Sequence, residues 1–321
     1  MVGTGRDLSV FFKTHGFIMR QKSIKRKING ILLLDKPKGF TSNAALQKIK
    51  KLFNAKKAGH TGSLDPLATG MLPLCFGEAT KFSQFLLEAD KVYQVTMKLG
   101  VRTTTGDAEG EIVSTRAVPK LKEKDLEKAF GQFRGEIQQV PSMYSAIKFQ
   151  GKPLYEYARQ GIEIKRESRP ISIYELILIA LREDEIEFKV HCSKGTYVRT
   201  LVEDVGEVLN CGAHVIALQR LSVGHFKETQ MVTMETLEKT FKENGSEALA
   251  HYLLPIDAII EQAEKIYLNP AMAFYLKQGN SLLVPHAPNK GLVQIYLKDG
   301  QFLGIGEVLP DGKIAPRRLV K

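Results

Sequence analysis

In the stretch GHTGSLDPLATG, Gly59 to Gly70, one carboxylate, Asp65, stands alone among Gly, Thr, Ser, Leu, Ala and a single His60. A lone carboxylate does chemistry as a nucleophile, as a general base or as a counter-charge to a developing cation. Pro66 pushes Asp65 into extended backbone, and the flanking glycines let the main chain approach a ligand closely. The segment so read presents a carboxylate at a loop tip. Spacing alone favours a plainer reading, an aspartate that closes an Asx-turn or caps a helix. Arg199 falls in the first turn of a helix, where the backbone dipole is positive and a cation needs an anionic partner, either a carboxylate or a phosphate. Pairing with Asp65 would hold that carboxylate ionised and oriented; the plain alternative is an exposed surface arginine. Tyr93 shares the apolar face of a strand with Val95 and Met97. That is the place of a core tyrosine, or of a ring facing a pocket where it could stack on a base.

Other chemistries find less support. No GxGxxG opens a βαβ unit, and Gly77-Glu78-Ala79-Thr80-Lys81 lacks the Gly-Lys-Ser/Thr ending of a phosphate loop. HExxH, GxSxG and paired-cysteine zinc signatures are missing, and the seven histidines never stand at helical i, i+4 spacing. No cofactor and no metal is expected.

The elements that must position these residues are regular from Gly30 onward. Ile31–Leu34 is a short apolar strand ending in the turn signal DKPKG. Ser42 is placed to cap a helix with Ala45, Leu46, Ile49, Leu52 and Phe53 on one face and Lys48, Lys50 and Lys51 on the other. Strands are expected at Leu72–Phe76, around Tyr93–Leu99 and at Ile186–Cys192, and helices at Thr80–Leu87, Asp125–Phe133 and from Tyr197 to Leu209. Between Pro141 and Pro170 periodicity is lost, yet Tyr144, Lys148, Lys152, Tyr155, Tyr157, Arg159, Lys165, Arg166 and Arg169 gather there. Cations interleaved with rings suit an RNA-gripping surface, with an ordinary mobile loop as the equal alternative. From about Pro255 a short helix, Pro270–Gln278, precedes hairpins marked by Asp299-Gly300 and Asp311-Gly312. These make a small, mostly β C-terminal domain.

The 321 residues carry a net charge of +11, which suits contact with a phosphate backbone, a merely basic surface being the alternative. No apolar run has the length of a membrane span, so no membrane partner is expected. Three scattered cysteines fit a reducing cytoplasm. Residues 1–28, with the run RQKSIKRK, read as a basic extension, disordered or an over-extended start. No extra interface segment stands out, and a monomer is expected.

Together these segments resemble the TruB family of tRNA pseudouridine synthases. The resemblance runs through GHTGSLDPLATGMLP, GEATKFSQFLLEADKVYQVTMKLGVRTTTGDAEG, PSMYSAIKFQGKPLYEYARQGI, CSKGTYVRTLVEDVG and LQRLSVGHF, covering about Ile28 to Leu254. It implies an α+β pseudouridine synthase fold, with a central mostly antiparallel mixed sheet flanked by helices and loops. The catalytic domain would span 29–254, the irregular 141–170 excursion would be a mobile thumb, and 255–321 would be a PUA-like RNA-binding domain. It further implies isomerisation of uridine 55 in the T loop of tRNA by base flipping, without cofactor, and with tRNA-folding activity beside it. A non-catalytic tRNA-binding factor on the same fold is the alternative. By the resemblance Asp65 is the nucleophile, Tyr93 stacks on the target base and Arg199 pairs with Asp65. His60 inserts beside the flipped base, Lys81 and Leu218 fall at pocket positions, and Lys36-Pro37 buttresses the site.

Overall fold

The computed structural model describes residues 24–321. Most of the expected basic extension, residues 1–23, lies outside them. Its last residues are stitched to the body: Arg26 N donates to Asn54 O at 2.7 Å, Lys56 N to Arg26 O at 2.8 Å, and Arg26 Nη1 to Ser246 O at 2.8 Å.

A nine-stranded mixed sheet forms the body. Its order is Val232–Thr233, Gly30–Lys36, Thr69–Phe76, Ala213–Val223, Lys91–Leu99, Glu185–Cys192, Arg169–Arg182 and Gly135–Gln139, with Ala58–His60 paired to Thr69–Phe76. Two contacts are parallel, Gly30–Lys36 with Val232–Thr233 and Ala213–Val223 with Thr69–Phe76; the rest are antiparallel. The α+β architecture and the mostly antiparallel sheet expected from the sequence are therefore present.

Strand alternation divides the interior. In Gly30–Lys36, Leu32 and Leu34 face the main core, which holds Ala45, Ile49, Phe76, Val95, Met97, Phe188 and Leu201. Ile31 and Leu33 face a second cluster with Met71, Cys75, Phe82, Leu86, Phe226 and Ile305, against which Phe302 and Val320 of the C-terminal segment pack. One short strand thus serves two cores, because successive side chains point to opposite faces. The C-terminal unit is a four-stranded sheet, Glu264–Leu268, Leu292–Leu297, Phe302–Val308 and Ile314–Leu319, with the helix Pro270–Lys277. The last three strands are joined by turns at Asp299-Gly300 and Asp311-Gly312, where Gly300 and Gly312 take φ of +92° and +78°.

Two local expectations change. The helix Ser42–Leu52 is capped by Thr41, whose side chain accepts from Ala44 N, and not by Ser42. Residues 77–82 form a 3-10 segment before the short α-helix Ser83–Glu88, so the expected helix at Thr80–Leu87 is split. The Thr80 hydroxyl donates to Gly77 O at 2.7 Å and Ser83 Oγ to Thr80 O at 3.1 Å. Such backward bonds by hydroxyls compete with the α pattern. The 141–170 excursion is mostly irregular, holding a two-residue ladder (Lys148–Phe149 with Lys152–Pro153) and the helical turn Leu154–Ala158.

Candidate active site

Asp65 lies in the connection between Ala58–His60 and Thr69–Phe76, and hydrophobic pegs hold it. Leu64 and Leu67, on either side, are each 5% exposed and belong to the main core. Ser42 Oγ donates to Leu64 O at 3.0 Å and accepts from Leu64 N at 2.7 Å, tying the helix start to the loop. Ala68 N donates to Asp65 O at 3.1 Å, and Gly39 N to Pro66 O at 2.8 Å. With its backbone fixed this way, the carboxylate is turned to the arginine rather than to a cap. Arg199 Nε lies 3.0 Å from Asp65 Oδ2, and Nη2 donates to Asp65 Oδ1 at 3.5 Å.

Arg199 stands in the first turn of the helix Val198–Val208, as expected, and is not a surface arginine: its side chain is 9% exposed. Nη1 donates to Thr105 O at 2.7 Å and lies 3.6 Å from Asp107 Oδ2, while Nη2 donates to Tyr144 O at 3.0 Å. The cation therefore bridges two carboxylates, which offsets the unfavourable dipole at its helix start. Asp107 is held in turn by Thr105 Oγ1 at 2.5 Å and by Glu109 N at 3.1 Å.

These groups line a cleft of about 600 Å³ with His60, Ser63, Tyr144, Tyr155 and Arg159. The Asp65 side chain opens 39% of its surface to this cleft. Burial pushes its carboxyl above the usual aspartate range; Arg199 and Lys36 oppose that rise and Asp107 adds to it. Lys36 is fully buried and donates to Pro37 O at 3.0 Å and Phe40 O at 2.7 Å; burial brings its ammonium down to about 8. Burial, helped by the charge of Arg220, also pushes His60 down, which keeps its ring neutral at physiological pH. His60 Nδ1 is enclosed without a partner among the described residues.

The other expected site residues are placed differently. Tyr93 packs against the main core, opposite Arg220 in the sheet, close enough for the Asp65 charge to bear on its phenol; burial raises that phenol above its usual range. Leu218, 8% exposed and opposite Val95, belongs to the core and lines a separate depression with Lys38, Gln94 and Thr96. Lys81 does not reach the cleft. Its Nζ is 2.6 Å from Glu78 Oε2 and donates to Leu319 O at 3.3 Å, so it joins the body to the C-terminal sheet. The 3-10 turn at 77–82 aims it there. Sequence reasoning missed Asp107, Ser42 and Arg220 as parts of this arrangement. Among the described residues, no group of three or more His, Cys, Asp or Glu could hold a metal ion.

An oriented carboxylate in a half-open cleft, with a buried cation behind it, is equipped to attack or stabilise an electron-poor carbon. Comparison with known proteins decides among the enzymes built this way. The sequence model for "TruB family pseudouridylate synthase (N terminal domain)" matches residues 50–198. Those for "tRNA pseudouridylate synthase B C-terminal domain" and "Pseudouridine synthase II TruB, C-terminal" match 199–261 and 265–320. The tRNA pseudouridine synthase B of Coxiella burnetii (strain RSA 493 / Nine Mile phase I) is 56% identical over 300 residues, 94% of this chain and 97% of that one. The chain belongs to the TruB family. The protein of the same name from Tolumonas auensis is 54% identical over 309 residues, covering 94% of this chain and 95% of its own. Among solved structures, the Cbf5-Nop10-Gar1 complex matches with TM-score 0.69 and 26% identity, over 91% of this chain and 84% of that one. An H/ACA RNP bound to a substrate RNA containing 2'-deoxyuridine shares the fold at TM-score 0.68 and 24% identity, over 91% and 85% of the two chains. TruB membership makes this chain a pseudouridine synthase, an isomerase.

Proposed function

We propose that this TruB protein converts uridine 55 in the T loop of tRNA to pseudouridine, with Asp65 as the nucleophile acting on a flipped-out uridine. The observation that carries this reading is the Asp65–Arg199 pair, 3.0 Å apart, at the edge of a cleft whose size suits a small ligand. The reaction breaks the bond between ribose C1' and uracil N1, turns the ring and joins C1' to C5. C5 gives up its proton and N1 takes one, so no redox partner or energy source enters. Asp65 supplies negative charge to the electron-poor sugar, and Arg199 and Asp107 keep the carboxylate aimed. A base must leave its stack to reach the cleft. His60, in the cleft lining, fits beside the extruded base; Tyr93, which packs against the core and does not line the cleft, is assigned beneath the base on the family resemblance.

The 141–170 excursion serves as the thumb that closes on the T arm. In support, it brings Tyr155 and Arg159 to the cleft as a cation–π pair, 5.4 Å from guanidinium to ring centroid. Nearby, Arg166, whose Nη2 lies 3.6 Å from Glu163 Oε1, gathers with Lys148, Lys165 and Arg169. Such a cluster of cations suits an RNA phosphate backbone. The C-terminal unit, residues 255–321, is the PUA-like domain that touches tRNA away from the cleft. We further assign the protein to the cytoplasm as a monomer that aids tRNA folding. Its three cysteines are free and buried, and no helix among the described residues is long and apolar enough to cross a membrane.

The test is tritium release from tRNA labelled at uracil C5. The wild-type protein should release tritium from tRNA carrying U55 and not from a U55C transcript. Asp65→Asn should bind the tRNA without releasing tritium; turnover by that variant would remove Asp65 from the mechanism. Binding without release by the wild-type chain would favour a tRNA-folding factor instead.

A further inference from the structure

Arg220, in the strand Ala213–Val223, heads the fully buried side chains of the described structure, at 1% exposure. Taking a guanidinium out of water is costly, and an apolar side chain of similar volume would fill the space without that cost. What Arg220 gains is a set of acceptors around the Asp65 loop. Nε donates to Met71 O at 2.7 Å, and Nη2 donates to Gly62 O at 3.3 Å. Those carbonyls lie on the two sides of Asp65 in the chain, so a single cation grips both ends of the loop.

The backbone of Arg220 grips it too. Arg220 pairs in parallel with Gly70, where φ is +92° and a Cβ would stand 2.3 Å from Arg220 O. Gly62 has φ of +81°, and a Cβ there would meet Arg220 Nη1 at 3.6 Å. On the opposite side the antiparallel register sets Arg220 against Tyr93, and its positive charge bears on the phenol. Arg220 does not line the cleft itself.

We propose that Arg220 is a positioning residue for the isomerisation, a clamp that fixes the Asp65 loop against Tyr93 and so sets the gap in which the base is held. The proposal rests on the reading of Asp65 and Tyr93 as the site. Three features support it: the donors go to loop carbonyls, the loop glycines allow the close approach, and the third neighbour is the site tyrosine. A lysine would keep the charge but offers a single nitrogen in place of the planar fork, and cannot hold the Gly62 and Met71 carbonyls in the same way while staying against Tyr93. Methionine would fill the space and hold none of them.

The experiment compares Arg220→Lys and Arg220→Met with wild type in single-turnover pseudouridine formation, tRNA binding and thermal unfolding. A displaced loop should slow the chemical step by about 10- to 100-fold, the scale on which small misplacements act, while the tRNA Kd stays within about threefold. The loss should persist at temperatures where the variant is fully folded. It should also shrink in a Tyr93→Phe background, because both changes act on the same ring. A rate for Arg220→Lys within about threefold of wild type overturns the proposal. So does a loss that disappears on cooling, which marks a role in stability only, and so does strict additivity with Tyr93→Phe. Should both Arg220 variants fail to fold, Gly62→Ala moves the clamped carbonyl with Arg220 intact. It should slow chemistry about tenfold at unchanged Kd, and an unchanged rate would again be fatal. Asp65→Asn serves as the control: its turnover would sink the site reading itself, whereas a dead Asp65→Asn beside a fully active Arg220→Lys sinks only the clamp.

Discussion

Arg199 and Asp65 meet through Nε and Oδ2 at 3.0 Å, and the same guanidinium turns its Nη1 toward Asp107 Oδ2 at 3.6 Å. The cation is nearly enclosed and the carboxylate it aims is open to the cleft. Such a pair fixes direction more than it lowers basicity, since burial still holds the Asp65 carboxyl above the ordinary aspartate range.

That balance sets the pH dependence. In the proposed role Asp65 has to be ionised, so the rate should fall with decreasing pH through a value above the ordinary 3.8. Arg199→Met removes the cation that opposes the rise. Its residual rate should be about 100-fold lower and its acid limb should lie at higher pH, measured by single-turnover pH profiles. An acid limb that stays in place would show that Arg199 does not act on the charge of Asp65.

The same shift has a sign for stability. A carboxyl whose folded pKa exceeds its unfolded value destabilises the fold above that pKa, and the penalty fades as pH falls through it. Asp65→Asn should therefore melt at a higher temperature than wild type at pH 7, with the difference narrowing toward pH 4. Arg199 keeps Asp107 and the Thr105 and Tyr144 carbonyls as partners in that variant. Scanning calorimetry at the two pH values checks this, and a lower melting point at pH 7 would contradict it.

Ser42 satisfies both backbone groups of Leu64, the residue before Asp65. Ser42→Ala leaves a buried N–H and C=O without a side-chain partner and should cost about 1–3 kcal/mol in urea unfolding. The turnover rate should drop as well, because the freed segment carries the carboxylate. Full activity with reduced stability would place Ser42 in the fold alone.

The thumb reading predicts an effect on affinity and its salt dependence. Deleting 155–165 should weaken tRNA binding and flatten the slope of log K against log salt, because phosphate contacts are lost. An unchanged slope in titrations at several salt concentrations would count against phosphate gripping by this segment.

The sequence made much of the frame legible, through strand alternation, the basic helix face and the Asp-Gly turns. The central pair is less legible: spacing keeps Asp65 as a turn residue and Arg199 as a surface arginine among the open readings, and the family resemblance is what joins them. Asp107 stayed hidden because Thr105-Gly106-Asp107 reads as a surface turn, and only the third dimension puts it under Arg199. Arg220 had a faint signal: it shares the inward face of its strand with Leu218, where a charge is out of place. Ser42 was noticed for the wrong task, since Thr41 beside it makes the equally good cap. Lys81 was assigned to the pocket by resemblance, but its turn and Glu78 take it to the C-terminal sheet.

The strand Gly30–Lys36 carries a constraint of its own. Its alternate leucines and isoleucine fill two cores, and its last residue, Lys36, pairs with Gly70 at the end of the Asp65 loop. Inserting or deleting one residue in it would exchange both faces at once, moving Leu32 and Leu34 out of one interior and Ile31 and Leu33 out of the other. It would also shift Lys36 along the strand by about 3.4 Å. No neighbouring segment could absorb that slip for both interiors together. For engineering, these seven residues form a fixed ruler, and length changes belong in the connections on either side.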